Sequence, residues 1–79
     1  MLEPRGTTVM LIPDETLGKR IVRYRKGHKL SQAKLGAIIN IDDNYLSSVE
    51  TGVKVPSILM IARLAVAFGV SIDELLGNE

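Results

Sequence analysis

The chain has 79 residues, of which 46% are hydrophobic and 24% charged, and its formal net charge is +1, as expected for one small folded domain. It contains no cysteine and a single histidine, which excludes disulfides, a thiolate nucleophile and cysteine- or histidine-rich metal sites. Its few aromatic residues argue against a stacking platform for single-stranded nucleic acid. Because the residues for nucleophilic, acid–base or metal chemistry are scarce, we expect a protein that is not an enzyme and has no cofactor.

Residues 1–13 are expected to form an N-terminal arm ahead of a domain at residues 14–79. Their apolar run, 9–12, is far shorter than the roughly 20 residues that span a bilayer, and no secretion signal surrounds it. We therefore expect a cytoplasmic protein with no membrane partner. The β-prone residues 7–12 either pair with a symmetry mate, pack over an apolar patch, or stay a loosely ordered tail, and the sequence leaves these interpretations open.

Five short helices are predicted, each from a capping residue that precedes apolar residues at helical spacing. Asp14 is expected to cap the first helix with Glu15 in its first turn, and Gly27 to end it. Ser31 caps the second helix, and Asn40, which tolerates the left-handed conformation, ends it. The other three helices are bounded by Asp42 and Gly52, by Ser57 and Gly69, and by Ser71 and Gly77. The sequence therefore predicts an all-α fold.

The second and third helices are joined by a very short connection. Only Asn40 and Ile41 lie between them, which favours a helix-turn-helix unit with Ile41 packed beneath the turn. Gly36 lies inside the second helix, where glycine costs about 1 kcal/mol relative to alanine. We therefore expect a close approach at Gly36 that excludes a side chain.

The charges are segregated along the chain. Seven lysines and arginines and no acid lie between residues 16 and 41, whereas residues 42–52 and the last seven residues each carry three acids. Such a basic stretch is either a solvated helix face or an electrostatic footprint for phosphates. The charge pattern alone does not distinguish these two interpretations.

Several motifs are spread over the predicted helices: LSQxxLG from Leu30, Ile41, LSxVExG from Leu46, PSI from Pro56, and LAxAFGVSIDELL from Leu64. Together they resemble the lambda-repressor-like (XRE-type) helix-turn-helix family, and the resemblance extends over about residues 17–76. It implies a five-helix domain that binds double-stranded DNA and has its third helix in the major groove. It also implies that Arg25 on the first helix pairs with Glu50 at the end of the third, which would hold the third helix to the body.

The same resemblance assigns candidate DNA contacts. The side chains that would read base edges are Asp43, Asn44, Ser47 and Ser48. Those that would contact phosphates are Gln32, Lys29, Lys34, Lys54 and Ser57, and Gln32 would also brace the third helix. Asn44 is the strongest candidate reader, because an amide pairs bidentately with adenine. Asp43 departs from the family pattern by bringing a negative charge toward DNA, where it either accepts from cytosine N4 or weakens binding.

The fourth helix has more apolar residues than its core face requires. Ile58, Ala62, Leu64, Ala65 and Phe68 are expected to pack inward. The surplus residues Leu59, Met60 and Val66 then predict an interaction patch, such as the interface of a homodimer; the alternative is that they are scattered surface hydrophobic residues.

The predicted function is sequence-specific binding of double-stranded DNA by a small, repressor-like transcriptional regulator acting as a homodimer on a palindromic site. The alternative is a protein-interaction module, or antitoxin-like partner, that keeps the fold but binds DNA weakly. The acidic start of the third helix and the apolar fourth helix are the features that favour this alternative.

Overall fold

Five α-helices and no strand make up residues 15–77, the part of the chain that the computed structural model describes. They are α1 Leu17–Gly27, α2 Gln32–Ile39, α3 Asp43–Glu50, α4 Ile58–Phe68 and α5 Ile72–Leu76. The predicted all-α, five-helix architecture is confirmed. The predicted arm at residues 1–13 lies outside the described residues.

Four predicted N-caps are confirmed by hydrogen bonds from backbone amides to their side chains. Ser31, Ser57 and Ser71 each accept from the amide three residues later, and Asp42 accepts from the amide of Asn44. In α5 the Glu74 carboxylate also accepts from the Ser71 amide at 2.9 Å, which completes a capping box. Short-range side-chain geometry therefore sets where these helices begin.

The start of α1 differs from the prediction. Thr16 is its N-cap, so Glu15 lies before the helix instead of in its first turn, and Asp14 falls outside the described residues. Glu15 receives two hydrogen bonds from Arg23, at 2.7 and 2.9 Å, and its carboxylate lies 3.3 Å from the Arg20 guanidinium. The hydrogen bonds from Arg23, with smaller contributions from the two positive charges, hold the pKa of Glu15 below its ordinary value. Glu15 is therefore an ion-pair partner of α1.

Left-handed residues end α2, α4 and α5 as predicted, at Asn40, Gly69 and Gly77. The first helix ends at Gly27 as predicted, but Gly27 is not left-handed. The left-handed conformation falls on Lys29, with φ of 59°. Lys29 is a non-glycine residue in a region that disfavours a Cβ atom, so this turn stores a small strain.

The core lies where α1, α2 and α4 converge, with α3 packed on α1 and α2, and α5 packed on α1 and α4. Each of the five helices contributes one side chain that is almost completely buried: Ile21, Leu35, Leu46, Leu64 and Leu75. The inward face of α4 differs from the prediction, because Ile58 is 66% exposed whereas Met60 and Ile61 are 7% and 8% exposed. Met60 belongs to the core and was wrongly predicted as part of an interface.

His28 is solvent-exposed but also has packing partners. Its ring stacks on Phe68 with centroids 5.8 Å apart, and its Nε2 lies 3.1 Å from the Phe68 carbonyl oxygen. Phe68 in turn stacks on Tyr24 at 5.4 Å. His28 therefore links the end of α1 to the end of α4.

Candidate functional site

Helix α3 presents one polar face to solvent. Asp43 and Asn44 are exposed and Ser47 and Ser48 are half-buried. On the opposite side of the helix, Leu46 and Val49 are buried in the core. All four predicted base readers therefore lie on one accessible surface of α3.

The hydrogen-bonding capacity of this surface is concentrated near the start of α3. Within residues 15–77 the Asn44 amide group and the Asp43 carboxylate have no side-chain hydrogen bonds, so both are open to an external partner. The Ser48 hydroxyl donates to the Asn44 carbonyl at 3.2 Å. Asp42 is occupied as the cap, its Oδ1 accepting from the Asn44 amide at 2.9 Å. Asn44 is consequently the most versatile group on this face, offering both donors and an acceptor.

Thr51, directly after α3, lies on the same face and was missed by the sequence reasoning. It is exposed, and its hydroxyl lies 3.1 and 3.2 Å from the carbonyl oxygens of Ser47 and Ser48, to which it donates. Its position seven residues after Asn44, two helical turns along, is the signal that could have identified it. With the hydroxyl bonded inward to the helix, the methyl group of Thr51 is free for external contacts.

A network of charged and polar side chains fixes the end of α3 to the body. Glu50 is 8% exposed, and its carboxylate accepts hydrogen bonds from Arg25 Nε at 2.7 Å and Arg25 Nη2 at 3.1 Å. Gln32 Nε2 donates to the same carboxylate at 2.8 Å. Arg25 also donates to the Leu30 carbonyl at 2.9 Å. Because α1 and α2 both hold Glu50, the orientation of α3 is set by both helices.

Two glycines allow α3 to approach its neighbours closely. A Cβ atom at Gly36 would lie 2.6 Å from the Ile41 carbonyl oxygen, so the expected close approach occurs at the turn between α2 and α3. A Cβ atom at Gly18, on α1, would collide with the backbone of Val49 and Glu50. The role of Gly18 was not predicted from the sequence, because nothing within α1 indicates that the backbone of α3 packs against it.

The predicted phosphate candidates lie in the first turns of helices or in loops. Lys29, Lys34 and Lys54 are exposed, and Lys54 Nζ lies 5.8 Å from the centre of the Tyr45 ring. Ser57 is exposed at the start of α4 while its Oγ accepts from the Met60 amide. Gln32 differs from the other candidates, because one of its amide hydrogens is already donated to Glu50.

An apolar surface lies between α2 and α4. Leu59 and Val66 are 59% and 81% exposed, as expected for surplus apolar residues, and Ile38 on α2 is also 59% exposed. A groove of about 430 Å³ separates Ile38 from Val66 and is bordered by Arg63. Ile38 was not predicted to be part of this surface, since its position in α2 does not show which side of the helix stays exposed.

Within residues 15–77, no three histidine, aspartate or glutamate side chains converge in a way that could hold a metal ion. The same range contains no helix of the length and hydrophobicity needed to cross a bilayer.

A protein-family profile described as helix-turn-helix matches residues 21–75. The immunity repressor protein of Bacillus phage phi105 is 33% identical over 64 residues, which is 81% of this chain and 44% of that protein. The chain therefore spans less than half the length of this curated relative.

Solved structures resemble this chain over most of its length. The N-terminal DNA-binding domain of SinR from Bacillus subtilis has a TM-score of 0.73 and 32% identity, covering 78% of this chain and 91% of that one. SinR in complex with DNA gives a TM-score of 0.72 and 33% identity, with coverages of 76% and 97%. The restriction-modification controller protein C.AhdI from Aeromonas hydrophila gives 0.73 and 31%, with coverages of 77% and 92%.

Proposed function

This chain belongs to the lambda-repressor-like helix-turn-helix family, and from this premise we propose that it binds double-stranded DNA sequence-specifically as a small, repressor-like transcriptional regulator. The similarity to SinR, which was solved in complex with DNA, supports DNA as the ligand. The similarity to a phage immunity repressor supports repression as the regulatory role.

The observation that carries the proposal is the preorganised polar face of α3. Asp43 and Asn44 are exposed while Glu50, at the other end of the helix, is held by Arg25 and Gln32. A helix that is fixed in this way enters the major groove without first becoming ordered, which lowers the entropic cost of binding.

Base reading is assigned to the polar side chains of α3. The free amide of Asn44 pairs bidentately with adenine N6 and N7, and the Asp43 carboxylate accepts from cytosine N4. Ser47 and Ser48 make shorter contacts with neighbouring base edges. Phosphate contacts come from the exposed side chains around this face and from Gln32, and they supply most of the affinity that does not depend on sequence. The residues proposed for these phosphate contacts are Gln32, Lys29, Lys34, Lys54 and Ser57.

A homodimer on a palindromic site is the proposed functional form. Leu59 and Val66 remain its proposed interface residues, joined by Ile38, which lines the same groove as Val66. Two copies would place their α3 helices in successive major grooves, about 34 Å apart. Burial of these exposed apolar side chains would drive association.

The first experiment selects bound sequences from a random duplex pool, using the full chain. We expect a consensus with two inverted half-sites whose centres are about one helical turn apart. Binding to random duplex should weaken with added salt, with a slope of roughly −0.9 per neutralised phosphate. Negligible binding at low salt would overturn the proposal.

The base-reading assignment is tested with Asn44→Ala. This variant should lose about 1–3 kcal/mol of binding free energy on the selected site and little on random duplex. Lys34→Gln is the matched control, because losing a phosphate contact weakens binding to both duplexes about equally. Equal losses for Asn44→Ala on the two duplexes would remove Asn44 from the readers.

The interface is tested by the double variant Leu59→Asp with Val66→Asp. Sedimentation should show its mass shifted toward that of a monomer, whereas Val55→Asp, which alters a valine that is 87% exposed in the loop before α4, should leave the mass unchanged. An unchanged mass for the double variant would place the interface elsewhere.

A second candidate function is a protein-interaction module with weak DNA affinity. The groove between Ile38 and Val66 and the carboxylate of Asp43 on the polar face of α3 both favour it. The salt titration separates the two functions, since an interaction module would show low and nearly salt-independent binding to duplex DNA.

A further inference from the structure

The structure divides the cations of α1 into paired and unpaired groups. Arg20, Arg23 and Arg25 each have a carboxylate within ion-pair distance. Lys19 has no ion-pair partner among residues 15–77, and it is exposed. The charge of Lys19 is therefore available to an external anion, whereas the three arginines are held within the domain.

Lys19 borders a cleft beside the end of α3. The cleft has a volume of about 540 Å³ and lies between the start of α1 and the segment that connects α3 to α4. Lys54, which is exposed and has no ion-pair partner within residues 15–77, lines the same cleft, as do Thr51 and Gly52. Two exposed lysines thus flank a cavity that shares Thr51 with the polar face of α3.

The position of Lys19 relative to α3 is rigid. The adjacent Gly18 is buried against the backbone of Val49 and Glu50, so that no side chain separates α1 from the end of α3. Arg25, two helical turns further along α1, holds Glu50 through two hydrogen bonds. The backbone of Lys19 is therefore held in a fixed position beside the end of α3.

We propose that Lys19 is a further phosphate-contacting residue, and that the cleft between it and Lys54 accepts the sugar–phosphate backbone beside the groove that α3 enters. This inference rests on the proposed DNA-binding function and extends its contact surface onto α1. An exposed lysine acts on phosphate as a point charge, so the contact adds affinity and no sequence preference.

The test is the salt dependence of binding for Lys19→Gln, measured with the full chain on random duplex and on the selected site. The slope of log affinity against log salt should become less steep by about 0.9 on both duplexes. Between roughly 50 and 200 mM salt, the variant should therefore lose about 3.5-fold less affinity than the unaltered protein. The melting temperature should stay unchanged, since the side chain is exposed and has no ion-pair partner among residues 15–77.

Two controls separate a local contact from a change in overall charge. Lys19→Arg keeps the positive charge and should keep the slope. Arg23→Gln also removes one positive charge from α1, but that side chain is committed to Glu15, so the slope should not change. A slope for Lys19→Gln equal to that of the unaltered protein, or equal to that of Arg23→Gln, would overturn the inference. Absence of binding by the unaltered protein would instead overturn the proposed function.

Discussion

Replacing Arg25 with methionine should destabilise the domain by about 3 kcal/mol, because it leaves the buried carboxylate of Glu50 without its charged partner. The Glu50 side chain is 4% exposed, and Arg25 supplies two of the three hydrogen bonds that it receives. Breaking a buried pair on one side costs about 3–5 kcal/mol. The lower end applies here, since the Gln32 amide still donates to the carboxylate. A chain of this length has a total stability of about 4–12 kcal/mol, so the loss is easily measured.

Urea unfolding monitored by circular dichroism gives the free energy of unfolding. The comparison is valid when the m-value, the dependence of that free energy on urea concentration, is the same for both proteins. Arg25→Lys should lose less stability than Arg25→Met, because it keeps the positive charge beside Glu50. It should still be less stable than the unaltered protein, because it lacks the planar group that also donates to the Leu30 carbonyl. The double variant Arg25→Met with Glu50→Leu should regain most of the loss, since it removes the uncompensated charge. A loss below about 1 kcal/mol for Arg25→Met would show that the pair behaves like an exposed one, and the reasoning would be refuted.

Three further predictions concern stability. Gly36→Ala should lower the free energy of unfolding in urea by about 1–3 kcal/mol, because its Cβ would meet a carbonyl of the following turn. Gly27→Ala, with open space around it, should not destabilise the domain. Equal effects of the two substitutions would contradict this account. Lys29→Gly should raise the free energy of unfolding by about 0.5–1 kcal/mol, because glycine adopts the left-handed conformation of this position without strain. The same variant should reduce the salt dependence of DNA binding. A loss of stability would show that the turn is unstrained. The pKa of Glu15 is lowered first by the hydrogen bond from Arg23, so its contribution is complete above about pH 4.5 and is lost as the pH falls through the lowered folded-state pKa. Glu15→Gln should therefore reduce the melting temperature at pH 7 and flatten its decline in acid, and an unchanged acid limb would argue against this ion pair.

Site residues whose placement depends on neighbours in the same helix could be predicted from the sequence, whereas those whose role depends on distant segments could not. Asn44 and Ser48 were placed correctly on the accessible face of α3 from their spacing relative to the apolar Leu46 and Val49. Lys19 was visible only as one of seven basic residues between positions 16 and 41. Which of those charges are paired depends on carboxylates 5 to 25 residues away, and the spacing of the basic residues does not show where those carboxylates lie.

The sequence by itself determined the helices and most of their ends. Ser31, Asp42, Ser57 and Ser71 each bond an amide two or three residues along the chain, so the information that starts these helices is contained within one turn. The left-handed Asn40 is local in the same way, since its short side chain tolerates that conformation whatever packs around it.

The tertiary structure alone decided which side of α4 is buried and where the helices touch. Helix α4 is apolar around nearly its whole circumference, so its periodicity did not distinguish the buried Met60 from the exposed Ile58, and the choice was made by the surfaces of α2 and α5 that cover it. In the same way Gly18 has no local reason to lack a side chain, and its reason is the backbone of α3, some 30 residues further along the chain. Burial and close approach are relations between distant segments, and these relations exist only once the chain has folded.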